Sequence, residues 1–129
     1  MRNSWRLAAL AILLASTVWF DAGCVRTITD FTIVSTKNFD LSRAGEFERY
    51  PQVRRGRDVV HWVTIFPLSW TGEPELKPAL DRAIQSVPGG VALVDGRIRE
   101  VFWYIPLLYG QHSLIAEGTP LVDPKIRGK

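Results

Sequence analysis

The first 23 residues carry a hydrophobic pattern that differs from the rest of the chain. Two arginines precede Leu7–Phe20, a run of fourteen residues without a charge. A membrane-spanning helix needs about 20 apolar residues, whereas a run of about 10–14 is typical of the hydrophobic region of a signal peptide. The pattern therefore predicts a signal peptide over residues 1–23 and a single exported domain over residues 24–129.

After the signal peptide, the pattern predicts four strands and one helix. β-Branched residues are dense in Arg26–Thr36 and in Val59–Leu68, which predicts two strands separated by a polar connection at residues 37–57. Two further strands are predicted after the helix, at residues 91–105 and 112–122. The predicted order of elements is therefore β-β-α-β-β.

The helix is predicted from apolar residues that recur at the spacing of one helix face. These residues are Leu76, Leu80, Ala83, Ile84 and Val87. Pro74 favours a start near Glu75, and the sequence Pro88-Gly89-Gly90 favours an end. Pro78 fits if it lies in the first turn, where backbone amides have no partner within the helix.

The strands after the helix define the predicted fold class. Asp95-Gly96 is expected to form a bulge or kink within one long strand rather than a hairpin turn, because only five residues separate Gly90 from Gly96. The last two strands have a short connection and should pair antiparallel. One amphipathic helix on one face of a small, mostly antiparallel sheet is an α+β fold.

A single cysteine, Cys24, follows Ala22 and Gly23. This arrangement resembles the cleavage box of a bacterial lipoprotein signal peptide, in which small residues precede a cysteine. The resemblance implies that Cys24 becomes the first residue of the mature protein and carries lipid on its sulfur and its amine. The position three before the cysteine is usually aliphatic in such signals, and here it is Asp21.

Two other fates of the N-terminal segment are open. Cleavage by the ordinary secretory route would leave a soluble protein with a free thiol. An uncleaved segment would act as an anchor, for which the apolar run is short. In each case the domain leaves the cytoplasm. With one cysteine it forms no internal disulfide, so Cys24 has another use or none.

The domain itself contains "TDFTIVSTKN", then the amphipathic helix, then "ALVD", then "YIPLLYGQ" and "EGT". This layout resembles a loose group of small bacterial envelope lipoproteins of unknown function and is similar to TRL-like lipoproteins. The resemblance covers most of residues 24–122 and implies a small, exported, non-enzymatic protein, with no catalytic residues to carry over. Val25 in place of aspartate after the cysteine implies sorting to the outer membrane, in an organism that has one.

Charge and motifs argue against several function classes. Removing Arg2, Arg6 and Asp21 from the 16 basic and 13 acidic residues leaves a formal charge of +2, which does not indicate nucleic-acid binding. His61 and His112 lack a third metal ligand at local spacing. The sequence therefore predicts no metal, no cofactor and no nucleic-acid partner.

Catalytic motifs are also missing from the sequence. It contains no G-x-S-x-G nucleophile motif. Ser113 follows His112 directly, and adjacent residues of a strand point to opposite faces, so these two cannot act together. The sequence predicts no catalytic residue.

The stretch "VFWYIPLLY", residues 101–109, is the candidate interaction surface. Alternation places Phe102 and Tyr104 on one face of a strand and Trp103 on the other. Two apolar faces predict contact with an envelope protein or the membrane, or else cover by the 37–57 connection, which would then form a lid over Trp103. The candidate contact residues are Trp103, Tyr104 and Tyr109, and Trp62 and Trp70 belong to the same question.

The densest charge cluster is Arg54–Arg57. It is predicted to form a soluble loop before the second strand, with contact to anionic lipid headgroups as the alternative. Taken together, the sequence predicts a non-catalytic, lipid-anchored envelope protein that serves as an interaction or structural module. The alternative is a soluble periplasmic or secreted module whose aromatic strand lines a pocket for a small apolar ligand.

Overall fold

The computed structural model of the chain describes residues 7–12, 23–63, 72–105 and 109–127. Residues 7–12 are helical and exposed, and the rest of the expected signal peptide before residue 23 lies outside the described residues. No helix of the described part is both long and apolar enough to cross a membrane. The signal peptide stays a prediction.

The strands of the described residues form one curled antiparallel sheet. Their bounds are Gly23–Val34 (β1), Glu48–Arg49 (β2), Arg54–Val63 (β3), Gly90–Ile105 (β4) and Tyr109–Val122 (β5). One edge of β5 pairs with β4, which in turn pairs with β1. The other edge of β5 pairs with β3 over most of its length and with the short β2 at its end. Strand β1 therefore forms one edge of the sheet.

The helix α1, Leu76–Gln85, packs on this sheet against β3, β5 and β4. A 3-10 helix spans Leu41–Glu46, and a last helical turn, α2, spans Pro124–Arg127. The fold is broadly α+β, as predicted, although helix is a minor component beside the sheet.

The apolar face of α1 forms the core with residues of the sheet. Leu80, Ala83 and Ile84 are buried as predicted, and so is Val87 just after the helix, whereas Leu76 at the helix start remains 37% exposed. The buried helix residues pack with Leu93 of β4 and Ala116 of β5. The spacing of the apolar residues thus identified the helix face that meets the sheet.

The helix begins where the sequence predicts, and a strand residue supports its start. Glu75 is the N-terminal cap, and its backbone N–H donates to Asp58 Oδ2 of β3 at 2.9 Å. This bond, together with that from Arg82 to Asp58 Oδ1 at 2.8 Å, outweighs partial burial and lowers the pKa of Asp58. Pro78 lies in the first turn, where its missing N–H removes no helix hydrogen bond.

The end of α1 and the bulge in β4 also follow the predictions. The helix ends at Gln85, and Pro88 and Gly89 follow in a turn in which the Gly90 amide donates to the Val87 carbonyl at 3.0 Å. Gly89 has a φ of +77° in this turn, a value that favours glycine. In β4 the pairing with β5 shifts between Val94 and Arg97, and Asp95 has a φ of +48°. Asp95-Gly96 is therefore a bulge inside one long strand.

The second strand corrects the prediction at its start. β3 begins at Arg54 rather than Val59, so the cluster Arg54–Arg57 lies in a strand and the loop interpretation was wrong. Gly56 is buried, and a Cβ atom there would lie 1.9 Å from the carbonyl oxygen of Ala79. The glycine lets α1 approach the backbone of β3 closely, which fixes this segment as part of the sheet.

The connection at residues 37–57 does not cover the aromatic strand. Within it, Arg49 of β2 pairs with Leu121, and the Tyr50 amide donates to the carbonyl of Pro120 at 2.8 Å. These contacts place the connection at the end of the sheet where β4 starts and β5 finishes. Trp103 is near the opposite end of β4, so the lid prediction was wrong.

Candidate functional site

Four strand termini meet at one end of the sheet, which we call the aromatic end. Val63 at the end of β3 pairs with Tyr109 at the start of β5, and Tyr109 pairs with Ile105 at the end of β4. The start of β1 lies beside the same part of β4. The aromatic end comprises Cys24, Val63, Phe102, Trp103, Tyr104, Ile105 and Tyr109.

The aromatic rings lie on both faces of β4. Phe102 and Tyr104 share one face, with ring centroids 6.0 Å apart. Trp103 points to the other face, where its ring centroid lies 5.3 Å from that of Tyr109 and its Nε1 donates to Gln111 Oε1 at 2.7 Å. The alternation predicted from the sequence is confirmed. Trp103 is half-buried, whereas Tyr104 remains 39% exposed.

Cys24 lies inside the folded sheet. β1 begins at Gly23, three residues before the predicted start, and Cys24 pairs with Phe102 across the strands. The Cys24 thiol is free and the residue is exposed. The structure therefore brings the candidate lipidation residue next to the candidate contact residues Trp103 and Tyr104. No local pattern predicts this register, because β1 and β4 are far apart in the chain.

The two histidines lie on opposite faces of the sheet. His61 pairs with Gln111, the neighbour of His112, so the two side chains point away from each other. His61 Nδ1 hydrogen-bonds the hydroxyl of Tyr109. Across residues 7–12, 23–63, 72–105 and 109–127, no three His, Cys, Asp or Glu side chains are placed to hold a metal ion.

His112 belongs to a polar network on the same face as Cys24. Its Nε2 lies 2.7 Å from Glu100 Oε1, and Arg26 donates to Glu100 Oε2 at 2.9 Å. Cys24 and His112 pair with Phe102 from opposite sides, so two strand spacings, about 10 Å, separate their backbones. The network of Arg26, Glu100 and His112 therefore links β1, β4 and β5.

A cluster of arginines around Glu117 occupies the other face of the sheet, further from the aromatic end. Arg99 and Arg55 donate to Glu117 Oε2 at 2.7 and 3.0 Å, and Arg97 lies 3.6 Å from Oε1. Partial burial raises the pKa of Glu117, but the hydrogen bonds from Arg99 and Arg55 outweigh this and leave the pKa lowered. The carboxylate thus joins β3, β4 and β5, and Arg55 is engaged in the sheet.

Replacing Glu117 with glutamine should destabilise the domain at neutral pH, and the difference from the wild type should shrink in acid. The lowered pKa means that the ionised carboxylate contributes stability above its unfolded pKa of about 4.3. That contribution is lost as the pH falls through the lower, folded pKa. Urea unfolding at a series of pH values between 7 and 3 measures the difference.

Glu48→Gln is the matched control for Glu117→Gln. The Glu48 side chain is 65% exposed and lies 4.0 Å from Arg127, so its removal should change stability little at any pH. A difference between Glu117→Gln and the wild type that stays constant from neutral pH to acid would contradict the role assigned to the cluster.

A cavity of about 470 Å³ lies at the end of the sheet opposite the aromatic end. Phe39 and Phe47 line it, together with Val87 and the ion pair between Arg43 and Asp123, whose Nη2 and Oδ1 atoms are 3.2 Å apart. Its size suits a small molecule. The candidate pocket of the alternative function is therefore formed by the 37–57 connection and the end of α1, and the aromatic strand does not line it.

Most of the predicted contact residues lie at the aromatic end, and one lies outside the described residues. Trp103, Tyr104 and Tyr109 lie together with Cys24 at the aromatic end. The backbone of Trp62 pairs with Gly110 close by. Trp70 lies outside the described residues.

Comparison of the chain with protein-family models, with curated proteins and with solved structures found no match. The fold defines a small α+β domain with a dominant, curled antiparallel sheet. The likeness to TRL-like envelope lipoproteins stays a prediction from the sequence.

Proposed function

We propose that this protein is a non-catalytic lipoprotein of the bacterial cell envelope. Acyl chains on Cys24 hold the domain at a membrane, favouring the outer membrane where the organism has one. The observation that carries the proposal is the N-terminal sequence, in which a charged start and a fourteen-residue apolar run precede Ala22, Gly23 and the chain's one cysteine.

The position of Cys24 in the fold supports this proposal. The residue is exposed on β1, an edge strand, so a lipid on its sulfur would displace no core side chain. Lipid attachment is a use for a lone, exposed cysteine in an exported domain.

The role of the anchored domain is interaction or structural support with another envelope component. β1 pairs with β4 alone and leaves its other edge open among the described residues. Ile28 and Ile33 of this strand are each 47% exposed. Open edge strands with apolar side chains are surfaces to which another protein chain can add.

Growth of cells producing the protein with radiolabelled fatty acid tests the proposal. The wild type should incorporate the label. Cys24→Ser should incorporate none, because the hydroxyl does not replace the thiol in lipid transfer, and the variant should either leave the membrane or persist as the uncleaved precursor. Gel electrophoresis with autoradiography and membrane fractionation measure both effects.

Thr27→Ser is the matched control for Cys24→Ser. It is a conservative change at an exposed position of the same strand and keeps the thiol. It should be labelled and fractionate like the wild type. Normal processing and membrane retention of Cys24→Ser would show that the lipid proposal is wrong.

The second candidate is a soluble module that binds a small apolar ligand in the cavity beside Phe39 and Phe47. The cavity volume of about 470 Å³ favours it. This function predicts no fatty-acid label, together with saturable binding of an apolar fluorescent probe that Phe47→Ser weakens. Label on Cys24 without probe binding would leave the lipoprotein proposal alone.

A further inference from the structure

We propose that the aromatic end of the sheet lies in the lipid–water interface of the membrane, with Tyr104 and Ile105 against lipid. The inference rests on the proposed lipidation of Cys24. It adds an orientation of the domain and a lipid-contact surface, and it assigns the exposed side chains of the aromatic end to the bilayer instead of to an envelope protein.

The first argument is that no linker would separate the lipidated residue, Cys24, from the folded sheet. Cys24 would be the first residue of the mature chain, and it is already paired with Phe102 in the sheet. Residues that face each other in an antiparallel pair have Cα atoms about 4.5–5.5 Å apart. The site of lipid attachment on the Cys24 sulfur therefore lies within about two strand spacings, or 10 Å, of the β4 aromatic residues.

The second argument is the lack of charge at this end. The sequence from Val59 to Gly72 and the sequence from Val101 to Ala116 contain no Asp, Glu, Lys or Arg. The described parts of both stretches lead to the aromatic end. The first charged side chains met on leaving it along β1 and β4 are Arg26 and Glu100, which pair with each other. An uncharged tip with a charged rim matches the change from lipid to headgroups.

The third argument is the kind of side chain exposed there. Val25, Val63, Tyr104 and Ile105 are 64%, 48%, 39% and 37% exposed. Tryptophan and tyrosine are enriched at membrane interfaces because each combines an apolar ring with a polar group. The hydrogen bonds of Trp103 with Gln111 and of Tyr109 with His61 provide polar partners beside the apolar surface.

The opposite end of the domain carries charged side chains. Ion pairs connect Glu46 with Arg43 and Lys125, and Asp123 with Arg43. The sixteen residues of β4, from Gly90 to Ile105, would span roughly 50 Å if straight. A single orientation therefore places the uncharged end in the interface and the charged end in water.

Two variants with one added cysteine each test the orientation. Lipidated Cys24 has no free thiol, so Ile105→Cys and Ile126→Cys each add a unique site for a fluorescent thiol label. Both isoleucines are exposed, Ile105 at the aromatic end and Ile126 in α2 at the charged end. The lipidated protein is reconstituted into vesicles of phosphatidylethanolamine and phosphatidylglycerol, and circular dichroism confirms that each variant is folded.

Quenching of the label distinguishes lipid from water. The label at Ile105 should be quenched by nitroxide-bearing lipid and protected severalfold from aqueous iodide, relative to the label at Ile126. Equal iodide quenching at both positions in vesicle-bound protein would overturn the orientation while leaving the anchor intact. That result would also favour contact of the aromatic end with a protein partner.

Failure of the anchor gives a different result. In that case the Cys24 thiol of the wild type would be free and would itself react with the thiol label, whether or not the protein remained with the vesicles. That outcome overturns the lipid proposal and the orientation together. The two failures are therefore distinguishable in one experiment.

Discussion

Replacing Gly56 with alanine is expected to destabilise the domain by about 3 kcal/mol or more, the upper range for overpacking a buried site. The added Cβ would lie 1.9 Å from the Ala79 carbonyl oxygen and 2.5 Å from the Ala83 amide nitrogen. Both are backbone atoms of α1, so no side-chain rotation relieves the clash. The helix must move away from β3, which opens the core around Ile84.

Urea unfolding of the processed domain measures the effect of Gly56→Ala. A loss of this size is a large share of the about 5–15 kcal/mol that stabilises a typical domain. Gly45→Ala is the matched control, since a Cβ there meets nothing within 4 Å. It should change the free energy of unfolding by no more than about 0.5 kcal/mol. Equal stability of the two variants would contradict the close approach of α1 to β3.

Leu80→Ala is expected to cost about 2–5 kcal/mol, the usual range for truncating a buried leucine. Leu80 is 4% exposed and packs in the core with Ile84, Leu93 and Ala116. Alanine favours helix, so the loss comes from missing apolar contacts and the cavity left behind, and the helix itself should persist. Thermal unfolding followed by circular dichroism measures the change.

Leu76→Ala shows whether the stability loss of Leu80→Ala comes from lost burial or from a change in helix propensity. Leu76 belongs to the same predicted face of α1 but is 37% exposed, so its truncation should cost clearly less than that of Leu80. If the two variants had the same thermal midpoint, α1 would not dock on the sheet in the described way.

Local patterns in the sequence were sufficient for the helix and for the bulge. The spacing of Leu80, Ala83 and Ile84 depends only on the geometry of a helix face. The end of α1 follows from the sequence Pro88-Gly89-Gly90 just beyond it, and the bulge at Asp95-Gly96 follows from the length of the strand around it. These features are determined within about ten residues of chain, which is the range of such patterns.

The start of β3 could not be predicted in the same way. Arginines with a glycine between them are typical of a loop, and local propensity favours that interpretation of Arg54–Arg57. In the fold, Arg55 pairs with Glu117 and Gly56 lies under α1, so partners far along the chain determine the strand. The place of the 37–57 connection depends likewise on its pairing with Leu121 and Val122.

The sequence predicted which residues belong to the candidate site, but it did not predict that they lie together. The sequence singled out Cys24 for its position behind an apolar run, and Trp103, Tyr104 and Tyr109 for their density of aromatic rings. Their meeting depends on the register between β1 and β4, which neighbouring residues do not determine. Because of that register, the predicted lipidation residue and the predicted aromatic contact residues lie at one end of the sheet.

Lipid attachment at Cys24 is tested most directly by the intact mass of the protein extracted from the membranes of cells that produce it. The expected mass is that of residues 24–129 plus acyl groups on the sulfur and the amine of Cys24, with fragmentation placing the added mass on this first residue. A mass that equals an unmodified chain, whether it begins at another residue or retains residues 1–23, would contradict a lipid-anchored protein.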